Sequence, residues 1–469
     1  MEVQVPSLAT VTTTRHVLVV PYPSRGHINP MMNLCKLLVS QNTDILVTFV
    51  VTEQWLRLIA TEPKPHNIRL ASLPNIGPSS DTFANVVEAV MTKMEAPLEL
   101  LLHRLNPPPT TILCDAFLYW AIAVGNRRNI PVAAFWTTTT SELWVQYFHV
   151  FQQNLDDHQK LIDYIPSTSW IDRAYIPLLD EKNRQILQWA QKCCEWLSKA
   201  QYLLLPSIYE LESQVTDALR ARISMPIYTI GPNIPYFNLG EKSCYTNDTT
   251  HDGNYIDWLD GQPVGSVLYI SYGSFHSVSR AQMDEIVAAL HKSNVRFLWV
   301  TREETNRLKE ICGDMGLVVA WCDQLRVLLH PSVGGYWTHC GWNSVVEGVY
   351  AGVPFLTFPI AMDQPLISKL IVEDWKVGWR VKKDDKLDTL VRRDEIVVLL
   401  RKFMHLDSDV GRDMRKRAKE LQDIAQKAIA KDGSSEINFR AFMKNILVHS
   451  EESHESNGPQ VQNGVEKLN

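Results

Sequence analysis

The chain has 469 residues, 45% of them hydrophobic and 21% charged, with a formal net charge of −6. That length exceeds what one hydrophobic core serves, so two or more domains are expected. The composition is that of an ordinary globular protein, and the mild charge points away from nucleic-acid or acidic-membrane partners.

Residues 1–15 lack the basic start and apolar core of a signal peptide. The first strong element is the apolar run His16–Val20, expected as a strand. It leads into Pro21-Tyr22-Pro23-Ser24-Arg25-Gly26-His27, and a helix is expected from about Ile28 to Ser40. His27 is thus expected in the loop outside the carboxyl end of the first strand, where open α/β sheets place functional groups. Imidazoles titrate near neutral pH and suit proton removal from a hydroxyl; a helix-capping or loop histidine is the plainer alternative.

Further strands are expected at Ile45–Val51, Ile68–Ser72, Thr111–Cys114, Val132–Phe135 and Tyr202–Leu205. Helical patterns at Thr82–Leu105 and Leu118–Arg128 lie between them, which argues βαβ units and a parallel sheet. Asp115 ends one strand, either as a cap for the next helix or as a carboxylate that orients His27. Thr137 follows Phe135-Trp136 at another strand end and opens a run of four threonines. Trp136, Trp144, Tyr147, Phe148 and Phe151 either line an apolar pocket or pack in the core.

Gly231-Pro232-Asn233-Ile234-Pro235 then leads into a polar stretch, Asn238 to Asn254, that reads as an inter-domain linker. The rhythm restarts with Val267–Ser271, helix Arg280–Lys292, Val295–Val300, Leu317–Ala320, Val333–Trp337, helix Asn343–Tyr350 and Phe355–Phe358. The expected architecture is α/β, with two doubly wound Rossmann-like domains facing across a cleft. Residues 1–232 form the first domain and 233–257 the linker, while 258–447 form the second domain with closing helices from Arg393. The polar tail 448–469 is expected to be disordered.

The segment from Trp321 to Gln364 is the most informative. Its apolar run Val333–Trp337 breaks at Thr338-His339-Cys340-Gly341 and resumes as a helix at Asn343-Ser344. A helix beginning after a strand and a polar turn presents unpaired N–H groups and a positive dipole end, a preformed anion site. Two indoles (Trp321, Trp342), three amides (Gln324, Asn343, Gln364) and two carboxylates (Glu347, Asp363) surround it. Indoles stack on flat rings, amides and carboxylates bond hydroxyls, and the helix end takes phosphate. Together they describe a nucleotide-sugar site.

Eight cysteines without a C-x-x-C pair indicate neither a zinc site nor a thioredoxin-like motif. No run approaches the roughly 20 apolar residues of a membrane span. A cytosolic protein with reduced thiols is expected, which makes the sequon Asn247-Asp248-Thr249 irrelevant. Asp407-Ser408-Asp409 spells the Asp-x-Asp of metal-dependent sugar transfer, but between two charged helical patterns it reads as a turn.

The Trp321–Gln364 segment, with HPSVGG, THCGWNS and the closing DQ in register, resembles the donor-binding box of plant family-1 UDP-glycosyltransferases. WLDGQPVGSVLYISYGS (Trp258 to Ser274) resembles the segment that opens that family's C-terminal domain. VLVVPYPSRGHINPMMNL resembles its N-terminus.

The resemblance implies the GT-B arrangement of two domains, with His27 as catalytic base and Asp115 as its partner. The family's Asp followed by aromatics two and five residues on recurs as Asp115, Phe117 and Trp120. It implies that Thr137 contacts the donor, Ser274 the diphosphate region, and Trp321 the face of uracil. The backbone of Cys322 bonds the base edge, and Gln324 and Glu347 hold the ribose hydroxyls. His339, Asn343 and Ser344 hold the phosphates; Trp342, Asp363 and Gln364 meet the sugar. Without the motif, Ser274 lies in an ordinary Gly-Ser turn, the tryptophans are core residues and Glu347 is an exposed helical carboxylate. Gln364 resembles the family's glucose users, whereas galactose users tend to carry His.

One departure stands out. The family usually has Ala-Pro where this chain has Cys322-Asp323, so a looser turn and an added charge near the nucleotide are expected.

The implied activity is inverting, metal-independent transfer of a sugar, glucose foremost, from a UDP-sugar to a small lipophilic metabolite. The acceptor is a hydroxyl or carboxyl of a flavonoid, other phenolic, terpenoid or hormone. No cofactor or metal, no nucleic acid and no integral membrane association are expected, and the chain is expected to act as a monomer. Two alternatives stand: a non-catalytic sugar-nucleotide-binding protein, and a Rossmann-type oxidoreductase. The latter needs a G-x-G-x-x-G turn, which Tyr22–His27 and Ser271–His276 both lack.

Overall fold

The computed structural model describes residues 15–77, 83–151, 184–235, 255–273, 278–301, 308, 315–382, 389–405 and 408–455. The expected linker stretch Asn238–Asn254 and the sequon lie outside them.

The first sheet holds β1 (Arg15–Val20), β2 (Ile45–Thr52), β3 (Ile68–Leu73), β4 (Thr111–Asp115), β5 (Val132–Phe135), β6 (Tyr202–Leu205) and β7 (Ile227–Thr229). The second holds β8 (Val267–Ser271), β9 (Arg296–Val300), β10 (Gly316–Val319), β11 (Val333–Thr338), β12 (Phe355–Thr357) and β13 (Gly378–Arg380). Their orders are β3-β2-β1-β4-β5-β6-β7 and β10-β9-β8-β11-β12-β13. Every pairing is parallel. Helices cover both faces, so strands read as unbroken apolar runs. In β1, for instance, Leu18 and Val20 join one buried cluster while Val17 and Val19 join the opposite one.

In each sheet the winding reverses once, between β1 and β4 and between β8 and β11. Crevices at such reversals, beyond the carboxyl ends of the strands, are where open α/β sheets bind ligands. β1 and β4 lead to His27 and Asp115, and β8 and β11 lead to Gly273 and His339.

Several expectations are corrected. The first helix starts at Arg25, not Ile28, which places His27 in its first turn. Ser24 is extended, and its carbonyl already accepts from His27 N at 3.1 Å and Ile28 N at 2.9 Å. The single helix expected over Thr82–Leu105 is two, Phe83–Lys93 and Glu95–Leu102. Pro97 is the reason, since in a continuous helix its ring would collide with the carbonyl of Lys93.

The last helix, Ser434–Glu455, runs past the point where the tail was expected to begin. Its Phe439, Phe442, Met443 and Ile446 pack into the first domain's core beside Ile28 and Phe49. Asn438 Nδ2 donates to Thr229 O of β7 at 3.1 Å. The chain therefore closes by returning to its first domain. Among the described residues no helix is long and apolar enough to cross a membrane.

Candidate active site

His27 and Asp115 meet at the first reversal. Nδ1 of His27 lies 2.7 Å from Oδ2 of Asp115 and 2.9 Å from Oγ1 of Thr137. The Asp115 carboxyl is fully buried, and its other oxygen accepts from Phe117 N at 3.0 Å. The two readings of Asp115 are thus compatible: it shapes the turn after β4 and also holds the histidine. A carboxylate at Nδ1 keeps the proton on that nitrogen and leaves Nε2 with its lone pair, the form a general base needs. Phe117 stands edge-on to the imidazole with centroids 5.8 Å apart, and stacks on Trp136 at 4.7 Å.

The four threonines each do something different. Thr137 reaches His27. The Thr138 hydroxyl donates across the cleft to Oδ2 of Asp363 at 2.5 Å. Thr139 caps the helix Thr140–Phe151, its Oγ1 accepting from Glu142 N at 2.9 Å. Thr140 contributes its backbone N–H to Ser207 Oγ at 3.1 Å and to Oε2 of Glu212 at 3.2 Å. The resemblance singled out Thr137; here the direct reach to the second domain belongs to Thr138.

At the second reversal the His339 ring sits between two glycines. A Cβ at Gly273 would lie 2.6 Å from its Nε2, and one at Gly341 2.5 Å away. Gly273 also has φ +77°, which disfavours any side chain there. Cys340 takes φ +70° to complete the turn, a strained value of the kind that concentrates at functional sites. The helix Trp342–Ala351 follows, with Gly341 at its N-cap offering no side chain to the first N–H groups. Its first internal bond is Val345 N to Gly341 O at 3.0 Å, so the amides of Trp342, Asn343 and Ser344 have no partner within the helix. Such an end favours a phosphate.

Asn343 bridges the domains, its Nδ2 donating to Gly26 O at 2.8 Å. That carbonyl is available because Pro30, four residues on and inside the first helix, has no N–H to give it. The bridge joins the first turns of the helices that begin at Arg25 and Trp342.

Trp321, expected on the nucleotide side, is 41% exposed, an unusual state for a large indole. Gln324 is held on all sides. Its Oε1 accepts from Tyr269 and Tyr336 hydroxyls at 3.0 and 3.1 Å, and its Nε2 donates to Ser344 Oγ at 3.1 Å and Glu347 Oε2 at 2.5 Å. All four bonding positions of the amide are used within the protein here, and its bond to Glu347 aims that carboxyl. Burial pushes the Glu347 carboxyl up to about 7, against the Gln324 bond that favours ionisation.

Cys322 is buried, with Sγ 3.5 Å from the Tyr269 hydroxyl, and burial pushes its thiol up to about 12. The loosened turn expected from Cys322-Asp323 does not occur. Asp323 caps the helix Gln324–Leu328 through Oδ1 to Arg326 N at 3.2 Å, and donates its own N–H to Tyr255 at 3.1 Å.

At the sugar end, Asp363 begins the helix Gln364–Lys369 behind Met362, whose φ is +57°. Desolvation raises the Asp363 carboxyl, while Thr138 and the nearby His27 favour its charged form. Gln364 accepts from Ile360 N and Ala361 N at 2.8 and 3.0 Å, which leaves its NH2 for a hydroxyl. The Trp342 indole is 4% exposed and packs toward Trp375, the core packing given as its alternative, which leaves its backbone for the sugar.

Ser274 lies outside the described residues, as do the side chains of Phe148 and Phe151. Trp136 and Trp144 are core residues, 1% and 0% exposed. Ser408 caps the helix Asp409–Ile429, and Asp409 pairs with Arg412, so these members of the Asp-x-Asp string serve a helix start.

Sequence reasoning missed Thr138, Tyr269, Tyr336, Pro30 and Glu142. Glu142 lies three residues after Thr139, a capping-box spacing, yet its carboxyl is buried near Asp363. Burial, reinforced by Asp363, pushes it well above the carboxylate range.

Three comparisons bear on the identity of this site. The family model described as UDP-glucoronosyl and UDP-glucosyl transferase matches residues 186–381. UDP-glycosyltransferase 87A2 of Arabidopsis thaliana is 46% identical over 447 residues, covering 92% of this chain and 97% of the relative. Among solved structures, Os79 from O. sativa in complex with UDP is similar with a TM-score of 0.78 at 26% identity, over 92% of this chain and 100% of that one. Os79 in complex with U2F and trichothecene gives 0.77 at 25% identity, with the same coverage.

Proposed function

The chain belongs to the UDP-glycosyltransferase family, and on that premise we propose that it transfers glucose from UDP-glucose to a lipophilic small molecule with inversion. The coarse activity, sugar transfer from a UDP-sugar to small metabolites, comes with the family. The finer assignment rests on the contact between His27 Nδ1 and Asp115 Oδ2 at 2.7 Å, in the domain opposite the open helix end at Trp342.

His27 Nε2 takes the proton from the acceptor hydroxyl as the oxygen attacks the anomeric carbon. The bond from that carbon to the UDP oxygen breaks, and the electron pair leaves with UDP. The N–H groups of Trp342, Asn343 and Ser344 and the helix dipole stabilise the growing negative charge. In this reading no divalent cation is required, because fixed main-chain dipoles fill that role. One displacement at an α-linked donor yields a β-glycoside. Trp321 stacks on uracil, Glu347 takes the ribose hydroxyls, and Asp363 with the Gln364 NH2 takes the sugar hydroxyls.

A protein that only sensed UDP-sugars would have no use for a buried Asp115 aimed at His27. The acceptors in view are phenolic, terpenoid or hormone hydroxyls and carboxyls, since Os79 is described with a trichothecene bound. A monomer in the cytosol completes the proposal. Incubation with UDP-glucose and a mixed acceptor library, read by mass spectrometry, tests it: a product heavier by one hexose supports it, and unchanged acceptors across the library contradict it.

A further inference from the structure

Four identical side chains in a row cannot fix their own register. Displaced by one position, the run Thr137–Thr140 would offer Thr138 to His27 and Thr139 to Asp363, with the same chemistry in the wrong places. What holds the run lies at its two ends. On one side Trp136 N bonds Leu204 O of β6 at 3.0 Å. On the other, the helix Thr140–Phe151 is anchored from outside by Ser207, whose Oγ accepts from Thr140 N at 3.1 Å, and chiefly by a carboxylate that takes three bonds.

That carboxylate belongs to Glu212. Its Oε2 accepts from Thr140 N at 3.2 Å, and its Oε1 from Ser141 N at 2.9 Å and Ser141 Oγ at 2.7 Å. The side chain is buried, and its own main chain is fixed where the turn Tyr209–Leu211 meets the helix Ser213–Arg220. There its carbonyl accepts from Thr216 N at 3.0 Å and Thr216 Oγ1 at 2.8 Å. The helix at Trp342 keeps its first amides open; the helix at Thr140 has them closed by Glu212, Ser207 and Thr139. One domain thus keeps a helix end open where the other has one plugged.

We propose that Glu212 is a positioning residue for sugar transfer, setting the register in which Thr137 meets His27 and Thr138 meets Asp363. It rests on the glycosyltransferase reading above. Glu212 touches no substrate in this account and acts only through the threonine run. Its three hydrogen-bond partners are all donors, so an amide in its place turns one donor against another.

The test is Glu212→Gln, with Ser141→Ala as a milder variant that removes one hydroxyl bond and leaves the carboxyl in place. Glu212→Gln is expected to raise KM for UDP-glucose at least fivefold and to lower kcat at least tenfold. Affinity for UDP alone, held by the second domain, is expected to stay within twofold. In a Thr138→Val background Glu212→Gln should raise that KM by less than twofold further, because both act on one contact. Full additivity, or an equal loss of UDP affinity, would show a merely structural residue and overturn the proposal.

Amide hydrogen exchange supplies a readout that needs no turnover: Glu212→Gln should accelerate exchange at Thr137–Ser141 and leave Trp342–Ser344 unchanged. If the wild-type chain transfers no sugar, the functional reading fails on its own, and unchanged exchange at the threonine run would independently overturn the role of Glu212. Should Glu212→Gln not fold, Ser141→Ala carries the same two readouts, with a smaller shift in the same direction.

Discussion

The hydroxyl of Thr138 donates to Oδ2 of Asp363 at 2.5 Å, so a first-domain threonine occupies one oxygen of the carboxylate that we propose meets the sugar. In that reading the other oxygen accepts from sugar hydroxyls. Donor recognition therefore depends on both domains meeting correctly. Thr138→Val keeps the shape and removes the donor. Hydrogen bonds to charged groups contribute about 1.5–3 kcal/mol, so KM for UDP-glucose should rise roughly tenfold or more. Steady-state kinetics alongside a UDP titration checks this; the UDP affinity should not move.

Glu347 gives a pH dependence with two opposite signs. Its folded carboxyl titrates at about 7 against an ordinary 4.5, so between these values the folded chain holds a proton that the unfolded chain has released. Its contribution to stability is intact below the ordinary value and is lost as pH rises toward 7. A ribose hydroxyl prefers the ionised carboxylate, so UDP affinity should strengthen over the same rise. Glu347→Gln should remove its share of both trends, leaving that of Glu142, Asp363 and, for binding, the UDP phosphates. Urea unfolding and calorimetry across pH measure the two.

Pro30 frees the Gly26 carbonyl that Asn343 uses. Pro30→Ala supplies the missing N–H and sets a helical bond in competition with the bridge. The helix should gain stability, because an interior proline costs about 3 kcal/mol. The donor KM should nevertheless rise several-fold, as it should for Asn343→Ala. The double variant should match the worse single one, and a kinetic double-mutant cycle decides it.

Asp323 replaces the proline usual in the family, and its cap on the helix Gln324–Leu328 compensates. Asp323→Ala should cost about 1 kcal/mol of stability, the typical worth of an N-cap. Asp323→Pro should also destabilise, because it removes the N–H donated to Tyr255. Urea midpoints for the two variants provide the check.

Much of this was legible in the chain. Strands buried on both faces announce themselves as short apolar runs, and β5, β6 and β8 fall where such runs predict. The three-residue strands β7 and β13 are too short to carry a pattern. His27 and Asp115 could be read because one follows a strand end and the other forms one. Thr138 could not, since a run of four threonines contains no signal for which one crosses the cleft.

The saturation of Gln324 was hidden for a different reason. Its partners Tyr269 and Tyr336 come from β8 and β11, and only the packed sheet brings them together. The last helix shows an apolar face, but nothing in that face names the sheet it will cover.

The central claim is that His27, held by Asp115, removes the acceptor proton while the helix at Trp342 holds the departing diphosphate. Turnover of UDP-glucose with a responsive acceptor, compared between wild type and His27→Ala at matched UDP affinity, tests it most directly. A loss of at least about a hundredfold in kcat with unchanged UDP binding is expected for a missing general base. Near-normal turnover by His27→Ala would contradict the account.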